Sequence, residues 1–153
     1  MILFHDDMGT QISTFFSTNT YRELFLLQYK KITKAAHDLG MYICSHSCGC
    51  ISTLIPYMIE AGFDAWEGQD SANDKKAIME EHGKDLAQCT LYIIPEDMSD
   101  EDAIADIHRR VDDLAMTGRF ACRLKDNKVN RPVNLAEELY RYSRMKYMEL
   151  AGE

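Results

Sequence analysis

The chain has 153 residues, 46% of them hydrophobic and 27% charged, with 25 acidic against 17 basic side chains and a formal net charge of −8. That is the length of one ordinary domain with enough apolar residues to build a core, and residues 1–153 read as a single domain. An acidic balance without a Lys/Arg run argues against nucleic-acid and anionic-membrane partners.

Short apolar runs alternate with helical patterns along the chain. Met1-Ile2-Leu3-Phe4 reads as a strand running into the polar turn His5-Asp6-Asp7-Met8-Gly9. Phe25, Tyr29, Ile32, Ala36 and Leu39 then recur at helical spacing, and Gly40 ends that helix. Met41 to Ser45 is the second strand. Ile51, Leu54, Ile55, Met58 and Ile59 mark a second helix with Pro56 near its first turns and Gly62 as its stop. Phe63 to Trp66 is the third strand, followed by a helix expected to be capped by Ser71 and to end near Gly83. Thr90 to Ile94 is the fourth strand. Ser99 caps the next helix, with Asp102 completing an approximate capping box and Ala103, Ile107, Val111 and Leu114 on its buried face. Phe120-Ala121-Cys122 is a short fifth strand, and Pro132 is expected to open a final helix reaching about Leu150.

Five consecutive βα units with apolar strands predict an α/β fold with a parallel sheet. It is either part of a (β/α)8 barrel or an open five-stranded sheet. Polar residues gather where strands end: His5-Asp6-Asp7, His46-Ser47-Cys48, Glu67-Gly68-Gln69, Glu96-Asp97 and Cys122. Those ends form the active face of a barrel and flank the ligand crevice of an open sheet. His46 and Cys48, two apart, point the same way by strand alternation, and imidazole and thiolate are ligands that zinc favours.

Five cysteines, Cys44, Cys48, Cys50, Cys89 and Cys122, do not form the even set of a secreted disulfide framework. No span-length apolar run or signal peptide is read, so a cytoplasmic location is expected. Cys44 shares the strand face of His46 but lies deeper and reads as core; Cys89 reads as structural. His37, His82 and His108 fall in helices and read as packing or surface residues.

Asp6-Asp7-Met8-Gly9-Thr10-Gln11, His37-Asp38-Leu39-Gly40, His46-Ser47-Cys48-Gly49 and the run Leu54 to Ala65, with Gln69 after it, resemble the C-terminal half of the uroporphyrinogen decarboxylase superfamily. The likeness covers nearly all of the chain and is nearest to the cobalamin-dependent methyltransferase branch. It implies that the five strands are strands four to eight of a (β/α)8 barrel whose first three strands lie outside this chain.

In that branch a His-x-Cys pair and one distant cysteine bind zinc. The resemblance therefore implies His46, Cys48 and Cys122 as metal ligands, with Cys50 as a second option for the third. The stretch Phe120-Ala121-Cys122-Arg123-Leu124-Lys125 lacks the glycines and proline usual around that last cysteine. The open zinc position takes a thiol, which attacks a methyl group carried on the cobalt of a partner corrinoid protein. Asp6, Asp7 and Gln69 are the further site candidates. One of the two aspartates would orient the ligand histidine, or both would satisfy backbone donors of the turn, while Gln69 and Glu67 would line the pocket.

The implied function is transfer of a methyl group from a methyl-corrinoid protein to a thiol or pterin acceptor. Two alternatives stand beside it. One is a porphyrinogen decarboxylase-type lyase, in which the His46–Cys48 pair would be idle. The other is a non-catalytic subunit that completes a barrel with another polypeptide. In each case the isolated chain is expected to associate, as a homo-oligomer or with a complementary N-terminal barrel half, because a cut barrel leaves strand edges unpaired.

Overall fold

A computed structural model describes residues 1–152, with Asp70 described through its backbone alone. Five strands, β1 (Ile2–His5), β2 (Ile43–Ser47), β3 (Ala65–Gly68), β4 (Ala87–Ile94) and β5 (Phe120–Asp126), form one sheet in the order β1-β2-β3-β4-β5. Each neighbouring pair is parallel. The helices lie between strands in the chain: α1 (Thr18–Thr20), which runs through a π-helical turn at Tyr21–Phe25 into α2 (Leu26–Asp38); α3 (Ile55–Ala61); α4 (Lys75–His82); α5 (Asp100–Leu114); and α6 (Leu135–Ala151).

The two faces of the sheet differ. Ile43, Trp66, Tyr92, Ile94, Phe120 and Leu124 alternate onto one face and pack against the helices. Tyr29 and Ala36 of α2, Met58 of α3 and Ile78 of α4 pack around the N-terminal strands, and Ile107 of α5 with Leu139 of α6 around β4 and β5. On the other face a small cluster of Cys44, Ala65 and Cys89 is buried, while Leu3, Leu91 and Ile93 stand exposed. A doubly wound sheet carries helices on both faces. A barrel wall carries them on one, and that is the arrangement here. Among the described residues β1 and β5 each have a single strand neighbour, so the sheet is open. No described helix is long and apolar enough to cross a membrane.

Several local expectations shift. β2 runs on to Ser47, so His46 lies within the ladder. β3 starts at Ala65, leaving Phe63 in the connection, and β4 starts at Ala87, which puts Cys89 inside the strand. The cap of α4 is Asp74, whose carboxylate accepts the Ala77 N–H at 3.0 Å; Ser71 belongs to a separate 3-10 turn. α6 starts at Leu135 with Asn134 as its cap. Pro132 stays in the preceding loop, where the guanidinium of Arg131 is held by Asp126 at 2.7 Å and Asp100 at 2.6 Å. Ser99 caps α5 as expected, accepting the Asp102 N–H at 3.0 Å, and all four expected apolar positions of that helix are buried.

Candidate metal centre

Register decides which side chains meet at the strand ends. Partnered residues of parallel strands share a face. The pairing His5↔His46, His46↔Glu67, Glu67↔Cys89 and Cys89↔Ala121 therefore draws one row across the face away from the helices. Cys48 follows His46 on that side by alternation, and Arg123 follows Ala121. The imidazoles of His5 and His46 stack with ring centroids 4.4 Å apart.

Two glycines allow the loops after β1 and β2 to cross in contact. Gly49 has φ +80°, and a Cβ there would stand 2.2 Å from the Gly9 carbonyl oxygen. Only glycine fits so close a backbone approach in a left-handed conformation. Three hydrogen bonds lace the crossing. Met8 N–H donates to Ser47 Oγ at 3.0 Å, Cys48 N–H to Asp7 Oδ1 at 2.8 Å, and Cys50 N–H to the Thr10 carbonyl at 2.7 Å. The result is the Asp7 carboxylate lying against Cys48.

Asp7, His46 and Cys48 form a group in which each residue offers one ligand atom and all three atoms lie within 4.8 Å of one another. His46 Nε2 is 3.4 Å from Cys48 Sγ and 3.9 Å from Asp7 Oδ1. Ligand atoms around a tetrahedral zinc at ordinary bond lengths stand roughly 3.3–3.7 Å apart. The oxygen, nitrogen and sulfur donors thus fit that ion with small adjustments, and three protein ligands leave a position open. Burial, then the negative charges of Asp7 and Glu67, push the Cys48 thiol above its ordinary range. A bound cation inverts that preference.

Behind these three side chains stands Glu67, buried on β3. It lies 3.2 Å from His46 Nδ1, and it accepts both contacts of the Arg123 guanidinium, at 2.6 and 2.7 Å. A carboxylate at Nδ1 holds the proton there and leaves the Nε2 lone pair facing Cys48 and Asp7. A cavity of about 390 Å³ opens beside the group, lined by His46, Cys48, Glu67, Gln69, Leu91 and Ile93 among others.

The other candidates fall out differently. Gln69 stays at the site. Its amide pairs reciprocally with that of Gln11 at 3.0 Å in both directions, and its Oε1 also accepts the Gly49 N–H at 3.2 Å. Asp6 alternates to the helix side, where it takes the Tyr29 hydroxyl hydrogen bond, so of the two aspartates only Asp7 reaches the group. Cys122 is a correction to the expected ligand set. It pairs in register with Thr90 and packs with Phe120 and Leu124 on the helix face, opposite to His46 and Cys48. Arg123, one position on, occupies the side that the third cysteine was expected to fill. Cys50 lies outside the group.

The contribution of Arg123 was not anticipated. It was visible as a cation beside Cys122, but the parity of β5 relative to β2 follows from strand register, which no local pattern encodes. No family model matches the chain, and no curated protein or solved structure matches it.

Proposed function

We propose that this chain is part of a zinc-dependent, corrinoid-linked methyltransferase of the uroporphyrinogen decarboxylase superfamily, moving a methyl group from a methyl-corrinoid protein to a thiol or pterin. The observation that carries the reading is the gathering of Asp7, His46 and Cys48 at the C-terminal ends of two adjacent parallel strands, beside a cavity. These three residues would hold the ion. When bound, zinc lowers the pKa of a thiol that takes its open position, so that the thiolate is available at neutral pH.

The remaining work falls to the protein's own groups. Glu67 fixes the His46 ring and its tautomer, and Arg123 fixes Glu67. Gln69 and Gln11 brace the loop that carries Gly49 and hold it against the loop that carries Asp7. Leu91 and Ile93 supply an apolar wall to the cavity. The donor set favours this reading over the decarboxylase alternative, where a His–Cys–Asp group has no task.

The test is metal analysis of protein purified without chelator. Zinc near one per chain is expected, lost in Cys48→Ala with the fold retained, and kept in Cys122→Ala. Absence of zinc from the wild-type chain, or its loss in Cys122→Ala, overturns the ligand assignment. Methyl transfer from methylcobalamin is expected from the zinc-loaded chain only after a complementary barrel half is supplied.

A further inference from the structure

The two ends of the sheet are unfinished in opposite ways. In a parallel sheet covered on one face, the helix after each strand also meets the helices of the units before and after it. α2 meets α3 along one flank, where Lys30 pairs with Glu60 at 2.7 Å. Its other flank, turned back past β1, is exposed: Ile32, Ala35 and Leu39 recur there at i, i+3, i+7. α6 meets α5 along one flank, where Glu138 contacts His108 Nε2 at 2.6 Å and the Tyr142 hydroxyl donates to Asp112 at 3.1 Å. Its other flank, turned on past β5, carries Ala136, Tyr140, Ser143 and Tyr147 at i, i+4, i+7, i+11. With Phe120 and Leu124 of β5 that flank lines a groove of about 390 Å³.

Each end carries what the other is missing. α6 overhangs the place of a next strand beyond β5. β1 lacks a helix over its outer side, and its helix-facing Ile2 and Phe4 are only half-buried. The backbones match as well. β1 and β5 run in one direction within a parallel sheet and each has a single strand neighbour among the described residues, so β1 of a second copy laid on β5 continues the parallel ladder. Leu3, Leu91 and Ile93 stand exposed on the uncovered face, and joining the edges turns that face inward.

We propose that this surface docks a second copy of the chain. β5 of each copy pairs in parallel with β1 of the other, and α6 of each seats its Tyr140–Tyr147 flank against the Ile32–Leu39 flank of the other's α2. A two-fold axis relates the two seams. Two five-stranded sheets become one closed barrel, with both Asp7–His46–Cys48 groups at the same end of it. The joint rests on the open sheet and not on the metal reading, so metal-free protein forms it too.

The experiment is sedimentation equilibrium of the full chain at micromolar concentration. A dimer is expected. Ile32 and Tyr147 are exposed in the single chain and lie in the last two turns of their helices. Ile32→Glu and Tyr147→Lys are each expected to weaken dimerisation roughly tenfold or more, because each sets an unpaired charge in the apolar seam, with the circular-dichroism spectrum unchanged. The double variant places the two opposite charges across each seam and is expected to recover most of the affinity. Only a head-to-tail seam restores it; a dimer of α6 on α6, or of sheet face on sheet face, does not bring residues 32 and 147 together. Should Tyr147→Lys not fold, Tyr140→Lys on the same flank supplies the readout. A wild-type monomer, growth beyond a dimer, a dimer indifferent to either single variant, or a double variant without recovery overturns the proposal. A chain that stays monomeric until a complementary N-terminal barrel half is added, and then binds it through Ile32 and Tyr147, overturns it in favour of that partner.

Discussion

Gly49 is the residue on which the strand-end group turns. Its left-handed backbone and its contact with Gly9 bring the β1 loop over β2, so that Asp7 reaches Cys48. Gly49→Ala meets two obstacles. The left-handed conformation costs about 1–2 kcal/mol for a residue with a Cβ, and that Cβ would strike the Gly9 carbonyl, which is backbone and cannot swing aside. The expected outcome is a variant destabilised by at least ~1 kcal/mol in urea unfolding, with zinc affinity lost beyond what the stability change explains. Wild-type zinc content in a folded Gly49→Ala chain would show that Asp7 is no ligand. At this scale the sequence discloses types and not meetings. His46 and Cys48 are legible as a pair because they share a strand. Asp7 and Asp6 are equivalent on paper, and only the parity of β1 sends one to Cys48 and the other to Tyr29.

The helices were legible to the extent that local chemistry sets them. The i, i+3, i+4 spacing of Ala103, Ile107, Val111 and Leu114 and the Ser99–Asp102 box define α5 without tertiary help. Pro132 is a favoured first helical residue, yet α6 starts three residues later because the loop around Pro132 is captured by ion pairs from Arg131 to Asp100 and Asp126. Asn134 then supplies the cap, its side-chain Oδ1 accepting the Glu137 N–H at 3.2 Å. Helices α5 and α6 are joined through Glu138, which contacts His108 Nε2 at 2.6 Å and accepts from Arg141 at 2.7 Å. Arg141 first and His108 second hold the Glu138 carboxyl below its ordinary range. A carboxyl whose pKa is lower folded than unfolded contributes stability above its unfolded value, near 4.3 on average, and loses it as the pH falls through the folded value. The wild-type unfolding midpoint should therefore drop between about pH 5 and pH 3 more steeply than that of Glu138→Gln. Parallel curves for the two proteins would show that the α5–α6 contact is indifferent to this charge.

At the scale of the whole molecule, the parallel sense of the strands was readable because each parallel neighbour needs a crossover, and a helix lies in each connection here; the order β1-β2-β3-β4-β5 was not, since a reordered open sheet uses the same crossovers. Which face the helices would cover was not readable, since strands apolar nearly throughout suit both a doubly wound sheet and a barrel wall. The one-sided covering leaves a particular surface. Leu3, Leu91 and Ile93, 39%, 44% and 47% exposed, stand on the uncovered face, and β1 and β5 present unpaired edges among the described residues. Barrels abolish such edges by closing first strand on last; open edges and apolar faces template association. The isolated chain is therefore expected to self-associate at micromolar concentration in light scattering, and charged substitutions at Leu91 and Ile93 should shift it toward monomer without unfolding it. Association by the sheet face also predicts that zinc release is slower in the associated form, because the strand-end cavity lies beside Leu91 and Ile93. A monodisperse monomer with a single cooperative unfolding transition would mean that five βα units satisfy their own core, and the proposal of a barrel completed by a second polypeptide would then give way to a self-sufficient open sheet.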